Sequence, residues 1–313
     1  MHILKPPRLR RGNLIGLIAP ASAPKDWSVV ERGVRYLESL GYRTKIGQHA
    51  HARRGYLAGT DEQRVADLNG FLHDREVRAI FALRGGYGTP RMLPMVDYAA
   101  ARRDPKIVVG YSDVTALQMA LFRRAGLITF AGPMLAADLA QKRNTFAEAQ
   151  FWRMLTSAGR AGDLAQPRAK RMSTRHSGRA EGRLVGTNLS LLVSSLGTPF
   201  SPDYRRALLV LEDVHEHFHR LDRMLTQLRN AGVLRSISGL ILGAFTKCSP
   251  GDPSQPYLDQ AAIFNDALGW FSQPAVDGFG FGHVPAKLTI PLGCLARLDA
   301  DRGRLELLES AVS

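Results

Sequence analysis

Cysteine is almost missing from this chain: its 313 residues hold only Cys248 and Cys294. Two thiols make no disulfide framework and are too few for a structural zinc site. Both lie among apolar neighbours and are expected in the core. No apolar run approaches the ~18 residues that crossing a bilayer requires, so no membrane partner is expected. The first eleven residues are basic and Pro-rich, but the apolar run that follows, 14–19, is too short for a signal-peptide core. No clean cleavage site follows it, and a cytoplasmic chain is expected. An internal repeat, a zinc finger, a basic zipper and a P-loop are also missing.

What is present is a chain of ordinary globular composition, 45% hydrophobic with 30 Gly and 17 Pro, long enough for one or two domains. Lys and Arg outnumber Asp and Glu by 42 to 28, a formal charge of +14. Its arginines are scattered over helix faces and turns, which sets a nucleic-acid partner aside and leaves attraction of an anionic substrate. The densest stretch, 153–183, holds eight basic residues against two acidic ones and reads as a flexible, solvated connection.

Short apolar runs alternate with amphipathic segments through the first half. Runs at 14–19, 79–83, 107–109 and 127–131 read as buried strands. Helical spacing marks 29–40, 61–72, 114–124 and 146–155, and Thr60 with Gln63 forms a capping-box pattern. Such alternation predicts a parallel sheet with covered faces. The second half has more strand: 208–211, 239–245, 288–291, 295–298 and 305–308, with a helix at 221–229. We expect an α/β protein: an N-terminal domain over 1–165, a basic linker over 166–183, and a second domain over 184–313.

Two segments could carry chemistry at strand ends, Arg84-Gly85-Gly86-Tyr87-Gly88 and Gly110-Tyr111-Ser112-Asp113. Glycines let a substrate approach backbone N–H groups that can hold an oxyanion; the alternative is a structural turn. Ser112 opens a helix and is either its N-cap or a nucleophile beside unsatisfied N–H groups. Arg84 could hold a substrate carboxylate or brace the glycine loop. A serine nucleophile needs a base with an orienting partner. Glu212 closes an apolar strand, where an acid is unexpected unless used. His283 sits in the glycine-dense segment Gly278-Phe279-Gly280-Phe281-Gly282-His283. A competing pattern, His215-Glu216-His217-Phe218-His219, matches H-E-x-x-H and offers a zinc peptidase using His215, Glu216 and His219. His219 could otherwise touch an acidic substrate from a loop.

At these residues the chain resembles the LD-carboxypeptidases, the serine peptidase family of muramoyltetrapeptide carboxypeptidase and the microcin C self-immunity proteins. The resemblance rests on Ile18-Ala19-Pro20-Ala21-Ser22, the two segments above, Gly186-Thr187-Asn188-Leu189, Leu211-Glu212-Asp213, Leu221-Asp222-Arg223-Met224-Leu225, Gly282-His283 and Pro291-Leu292-Gly293. It implies a doubly wound N-terminal domain, a smaller β-rich C-terminal domain, and an active site in the cleft between them. Carried residue by residue, the nucleophile falls on Ser112, the acid on Glu212 and the base on His283, with oxyanion donors at the N–H groups of Gly86 and Asp113. The implied reaction uses no metal or cofactor and releases terminal D-alanine from murein tetrapeptides in cell-wall recycling, in a cytoplasmic homodimer. The microcin relatives imply an alternative substrate, an aminoacyl-nucleotide amide.

Overall fold

The computed structural model describes residues 2–141, 144–160, 162–164 and 172–313. A six-stranded sheet opens the fold, built from β1 (Leu14–Ile18), β2 (Arg43–Ile46), β3 (Val77–Ala82), β4 (Ile107–Gly110) and β5 (Thr129–Ala131), with one strand from the second half. Its helices are α1 (Trp27–Ser39), α2 (Asp61–His73), α3 (Thr89–Met92), α4 (Tyr98–Arg103), α5 (Thr115–Ala125) and α6 (Thr145–Thr156). The five N-terminal strands are all parallel, in the order β5-β4-β3-β1-β2. That order reverses between β1 and β3, and open α/β sheets hold their ligands at such a reversal, outside the carboxyl ends of the strands. Pro20-Ala21-Ser22 and Arg84–Gly88 leave the sheet at that point.

Alternation along the strands sets the two faces. Phe81 and Val109 point to a core shared with Val30 and Leu37 of α1 and Phe151 of α6. Ile80 and Val108 point to the opposite core, with Val65 and Leu68 of α2 and Leu117 and Leu121 of α5. Helix α2 starts at the expected capping box: Thr60 accepts from the Gln63 N–H, and the Gln63 side chain takes the Thr60 N–H.

The second sheet has eight strands: β6 (Gly162–Asp163), β7 (Ser173–His176), β8 (Arg179–Asn188), β9 (Leu208–Val214), β10 (Gly239–Thr246), β11 (Ala275–Asp277), β13 (Leu295–Asp299) and β14 (Arg304–Leu307). The strand between them in sequence, β12 (Ile290–Leu292), pairs antiparallel with β5 on the first sheet. The central strands β8 to β11 are parallel and the outer ones antiparallel. Helices α7 (Leu189–Ser195), α8 (Phe218–Asn230), α9 (Val233–Ser236) and α10 (Gln260–Leu268) complete the half. Leu209, Leu211, Leu240 and Leu242 face these helices, whereas Leu208, Val210 and Ile241 face the same core as Phe81. One apolar core therefore runs through both halves.

The segment read as a flexible linker differs from that expectation. Residues 166–171 lie outside the described ones, but 173–176 and 179–183 are strand. Its arginines are paired with acids more than a hundred positions away: Arg175 with Asp277 at 2.6 Å, Arg179 with Asp299 at 2.9 Å, and Arg183 with Glu309 at 2.9 Å. Cys294 is buried, and that burial pushes its thiol up to about 12; Cys248 is only half-buried. No helix among the described residues is long and apolar enough to cross a membrane.

Candidate active site

β4 ends at Gly110, and the chain turns at once into a short 3-10 turn, Ser112–Val114, that leads into α5. Gln118 of α5 donates to the carbonyls of Gly110 (3.0 Å) and Phe130 (2.7 Å) and so holds the two strand ends together. Ser112 takes φ 61°, the left-handed region that costs a residue with a Cβ of order 1 kcal/mol or more. Among the described residues its hydroxyl makes no hydrogen bond, so Ser112 is not a helix cap. The hydroxyl lies against the glycine loop: a Cβ placed on Gly85 would sit 3.3 Å from the Ser112 Oγ.

The glycine loop is fixed from three sides. The Ser22 N–H donates to the Gly85 carbonyl at 3.4 Å, and the Ser22 hydroxyl accepts from the Tyr87 N–H at 3.3 Å. Buried Arg64 donates to the carbonyls of Gly88 (2.8 Å) and Pro20 (2.5 Å). The Asp113 carboxylate accepts from the Thr89 N–H at 2.8 Å, joining this loop to the serine turn; burial raises its proton affinity. Among the described residues neither the Gly86 nor the Asp113 N–H meets a protein acceptor. Gly86 has φ 123°, and a Cβ there would lie 2.6 Å from the Ser22 Cβ. Gly86→Ala is therefore expected to displace the loop, lowering kcat about 100-fold and the unfolding midpoint by a few degrees. Steady-state kinetics with a thermal melt checks this, and unchanged kcat would show that the loop's position is unimportant.

Glu212 is inside β9 and fully buried, at 0% side-chain exposure. Its carboxylate is satisfied: Oε2 lies 2.8 Å from His283 Nδ1, and Oε1 accepts from Asn188 Nδ2 at 3.2 Å. A carboxylate oxygen accepts, so in the neutral imidazole this contact favours the tautomer with its proton on Nδ1 and Nε2 bare. Gly282, at φ 121°, lets the chain pass this close, since a Cβ there would stand 3.1 Å from Glu212 Oε2. Asn188 also donates to Asp213 Oδ1 at 3.0 Å, and Asp213 Oδ2 accepts from the Ser190 N–H and hydroxyl.

His283 meets the serine turn through Tyr111, whose ring lies edge-on to the imidazole with centroids 5.0 Å apart. No hydrogen bond joins His283 to the Ser112 hydroxyl in this structure; such bonds are often long before substrate tightens them. Tyr111 and His283 line a cavity of about 440 Å³ with Asp138, Glu148 and Lys287. Arg84 donates to the Ala23 carbonyl at 3.3 Å and lines an adjoining cavity of about 310 Å³ that shares Ala137 and Gln141 with the first. It pairs with no carboxylate among the described residues.

The H-E-x-x-H pattern does not form one helical face. His215 has φ 60° at the end of β9, Glu216 accepts from the Ser190 hydroxyl at 3.1 Å, and α8 starts only after His217. No trio of His, Cys, Asp or Glu among the described residues gathers as metal ligands. The geometry that zinc chemistry requires is thus not built here, because a strand end and a chain reversal interrupt the motif. His219 lines a separate cavity with Asp222 and Tyr257, away from His283.

Comparison with known proteins shows the family. The pattern of the LD-carboxypeptidase N-terminal domain matches residues 15–132, and that of the C-terminal domain matches 181–298. The chain belongs to the LD-carboxypeptidase family. It is 36% identical over 319 residues to a probable murein peptide carboxypeptidase of Bacillus subtilis, covering 99% of this chain and 95% of that one. The crystal structure of muramoyltetrapeptide carboxypeptidase from Oxalobacter formigenes superposes with a TM-score of 0.83 at 33% identity, over 94% of this chain and 98% of that one. The microcin C7 self-immunity protein MccF, solved with aspartyl sulfamoyl adenosine, superposes with a TM-score of 0.89 at 26% identity, over 99% and 100%. The two-domain α/β fold and a peptidase of this family are thereby established for the chain.

Sequence reasoning singled out the two loops, Glu212 and His283 but assigned no role to Tyr111, Asn188, Asp138 or Lys287. Tyr111 and Asn188 stood inside recognised motifs, which was their only signal. Asp138 and Lys287 had none.

Proposed function

We propose that this enzyme is a serine LD-carboxypeptidase that releases the terminal D-alanine from murein tetrapeptides. The observation that supports it most is the buried Glu212 carboxylate 2.8 Å from His283 Nδ1, with the His283 ring against the residue preceding Ser112. His283 Nε2 takes the Ser112 proton as Oγ attacks the carbonyl that joins an L-centre to D-alanine. Glu212 orients the ring and stabilises the imidazolium. The N–H groups of Gly86 and Asp113 receive the oxyanion where it develops. The imidazolium then protonates the departing amine, and water repeats the sequence on the acyl-enzyme. Arg84, without a carboxylate partner among the described residues, is suited to the substrate's free carboxylate. The chain's charge of +14 favours the approach of an anionic muropeptide.

Incubating the purified protein with a murein tetrapeptide and measuring free D-alanine tests the substrate. Release of D-alanine, and none from the corresponding peptide ending in L-alanine, is the expected result. Hydrolysis confined to an aspartyl-nucleotide amide would replace the murein reading with the MccF-like one, leaving the triad intact.

A further inference from the structure

Between the two halves of the site lies a buried charge cluster that the mechanism leaves unused. The Lys287 side chain is only 3% exposed, although it lies four positions after His283 in a connecting loop. Its ammonium donates to the Tyr111 hydroxyl at 2.8 Å and lies 4.0 Å from the centroid of the Tyr111 ring. It also pairs with the Asp138 carboxylate, whose other oxygen accepts from the Met134 N–H at 3.0 Å. The Tyr111 hydroxyl lies 3.5 Å from Asp138 Oδ1, the oxygen that faces Lys287. Two residues further on, Thr289 is clamped to Gln150 by hydrogen bonds of 2.7 Å and 3.1 Å. The loop that carries His283 is thus fastened to the N-terminal half at its far end, and Lys287 fastens its middle to the residue next to Ser112.

We infer that Lys287, through Asp138 and Tyr111, is a positioning residue that holds the His283 imidazole in line with the Ser112 turn. An ammonium has three donors, and here they have few places to go: a hydroxyl, a carboxylate and an aromatic face. That fixes the Tyr111 ring, and the ring edge in turn limits rotation of the imidazole. His283 already has its Nδ1 held by Glu212; a rigid wall beside the ring removes the remaining tilt. Correct orientation of a base over its nucleophile is worth large factors in rate. Lys287 reaches none of the reacting atoms in this scheme and acts only through Tyr111.

This inference rests on the serine reading above, so its test runs with Ser112→Ala alongside. Lys287→Met keeps the length of the side chain and removes the charge. It is expected to lower kcat about 100-fold while KM stays within about threefold. The rate at which a small fluorophosphonate labels Ser112 should fall by a similar factor, because that probe has no carboxylate for a lysine to recognise. Adding Asp138→Asn should cost less than about threefold more, since the pair acts as one unit. Tyr111→Phe keeps the ring, folds without a buried unpaired charge, and should lose about threefold to tenfold in both kcat and labelling. A raised KM with normal kcat and labelling would make Lys287 a substrate ligand and overturn the inference. So would a lowered melting temperature with full kcat per folded molecule, which is what a merely structural ion pair gives. If Ser112→Ala itself keeps its turnover, the serine reading fails instead, whatever Lys287 does.

Discussion

Ser112→Ala is expected to reduce kcat for D-alanine release by about four orders of magnitude or more, leaving only what the glycine loop and substrate binding supply. No other hydroxyl is offered at the same place by the turn after β4, and the loop at Gly85 lies directly against this one. The substitution should leave the fold alone. The hydroxyl makes no hydrogen bond among the described residues, so nothing buried loses a partner, and the left-handed backbone at φ 61° is equally strained for either residue. A melting temperature within about 2 °C of the parent, with turnover gone, is the combined result to look for. Turnover above a few per cent of the parent in a preparation free of contaminating peptidase would rule out the serine mechanism.

Glu212→Gln should be nearly as damaging, for a reason that lies in the hydrogen-bond pattern rather than in charge alone. Asn188 Nδ2 donates to Glu212 Oε1, so an amide at 212 keeps its oxygen towards Asn188 and turns its NH2 towards His283. That NH2 can only donate, which forces Nδ1 to accept and moves the imidazole proton to Nε2. The nitrogen proposed to take the Ser112 proton then already carries one and cannot take another. A loss of about 10⁴ in kcat is expected, with KM little changed. Steady-state kinetics across pH checks it: at no pH should the variant recover the parent rate, because the wrong tautomer, not a shifted titration, causes the loss. Recovery at high pH would mean that Glu212 acts only by its charge. Glu212→Ala makes a useful contrast, since it takes from His283 its Nδ1 partner and leaves Asn188 only Asp213 to donate to, and should lower stability as well.

The positioning role inferred for Lys287 fits how the fold brings these groups together. Ser112 and the glycine loop stand at the ends of adjacent parallel strands in one sheet, and Glu212 stands in a strand of the other. His283 belongs to neither sheet. It hangs on a loop whose following strand, β12, crosses back to pair with β5. The base role proposed for His283 needs such a loop fixed at several points, and the loop is held by Glu212, by Tyr111 with Lys287, and by the Gln150 clamp on Thr289.

Much of the local structure was already written in the chain. The capping box at Thr60, the strand at 79–83 and the helix after Ser112 depend on neighbours within about four residues, where propensity and periodicity are strong. The glycine-rich strand ends and the buried acid after an apolar strand were legible for a similar reason, because each breaks a local pattern without a local need. The structure also corrected local readings. The basic stretch near 175–183 reads as a flexible connection when its own sequence is the only context, yet it is largely strand, and its partly exposed arginines are matched by Asp277, Asp299 and Glu309 far along the chain. The H-E-x-x-H pattern, by contrast, falls in the sequence between a strand end and the helix near Leu221, and the structure places it there, between β9 and α8.

By itself, then, the sequence determined which residue types stand at which strand ends, because that follows from apolar runs and the glycines that stop them. Tertiary structure alone decided what those residues meet. Whether Glu212 reaches His283, whether Lys287 is a solvated loop residue or a buried cation, and which sheet takes β12 depend on pairings between residues up to 176 positions apart. Such pairings are fixed by the closing of one apolar core around both sheets, and no window of neighbouring residues carries that information.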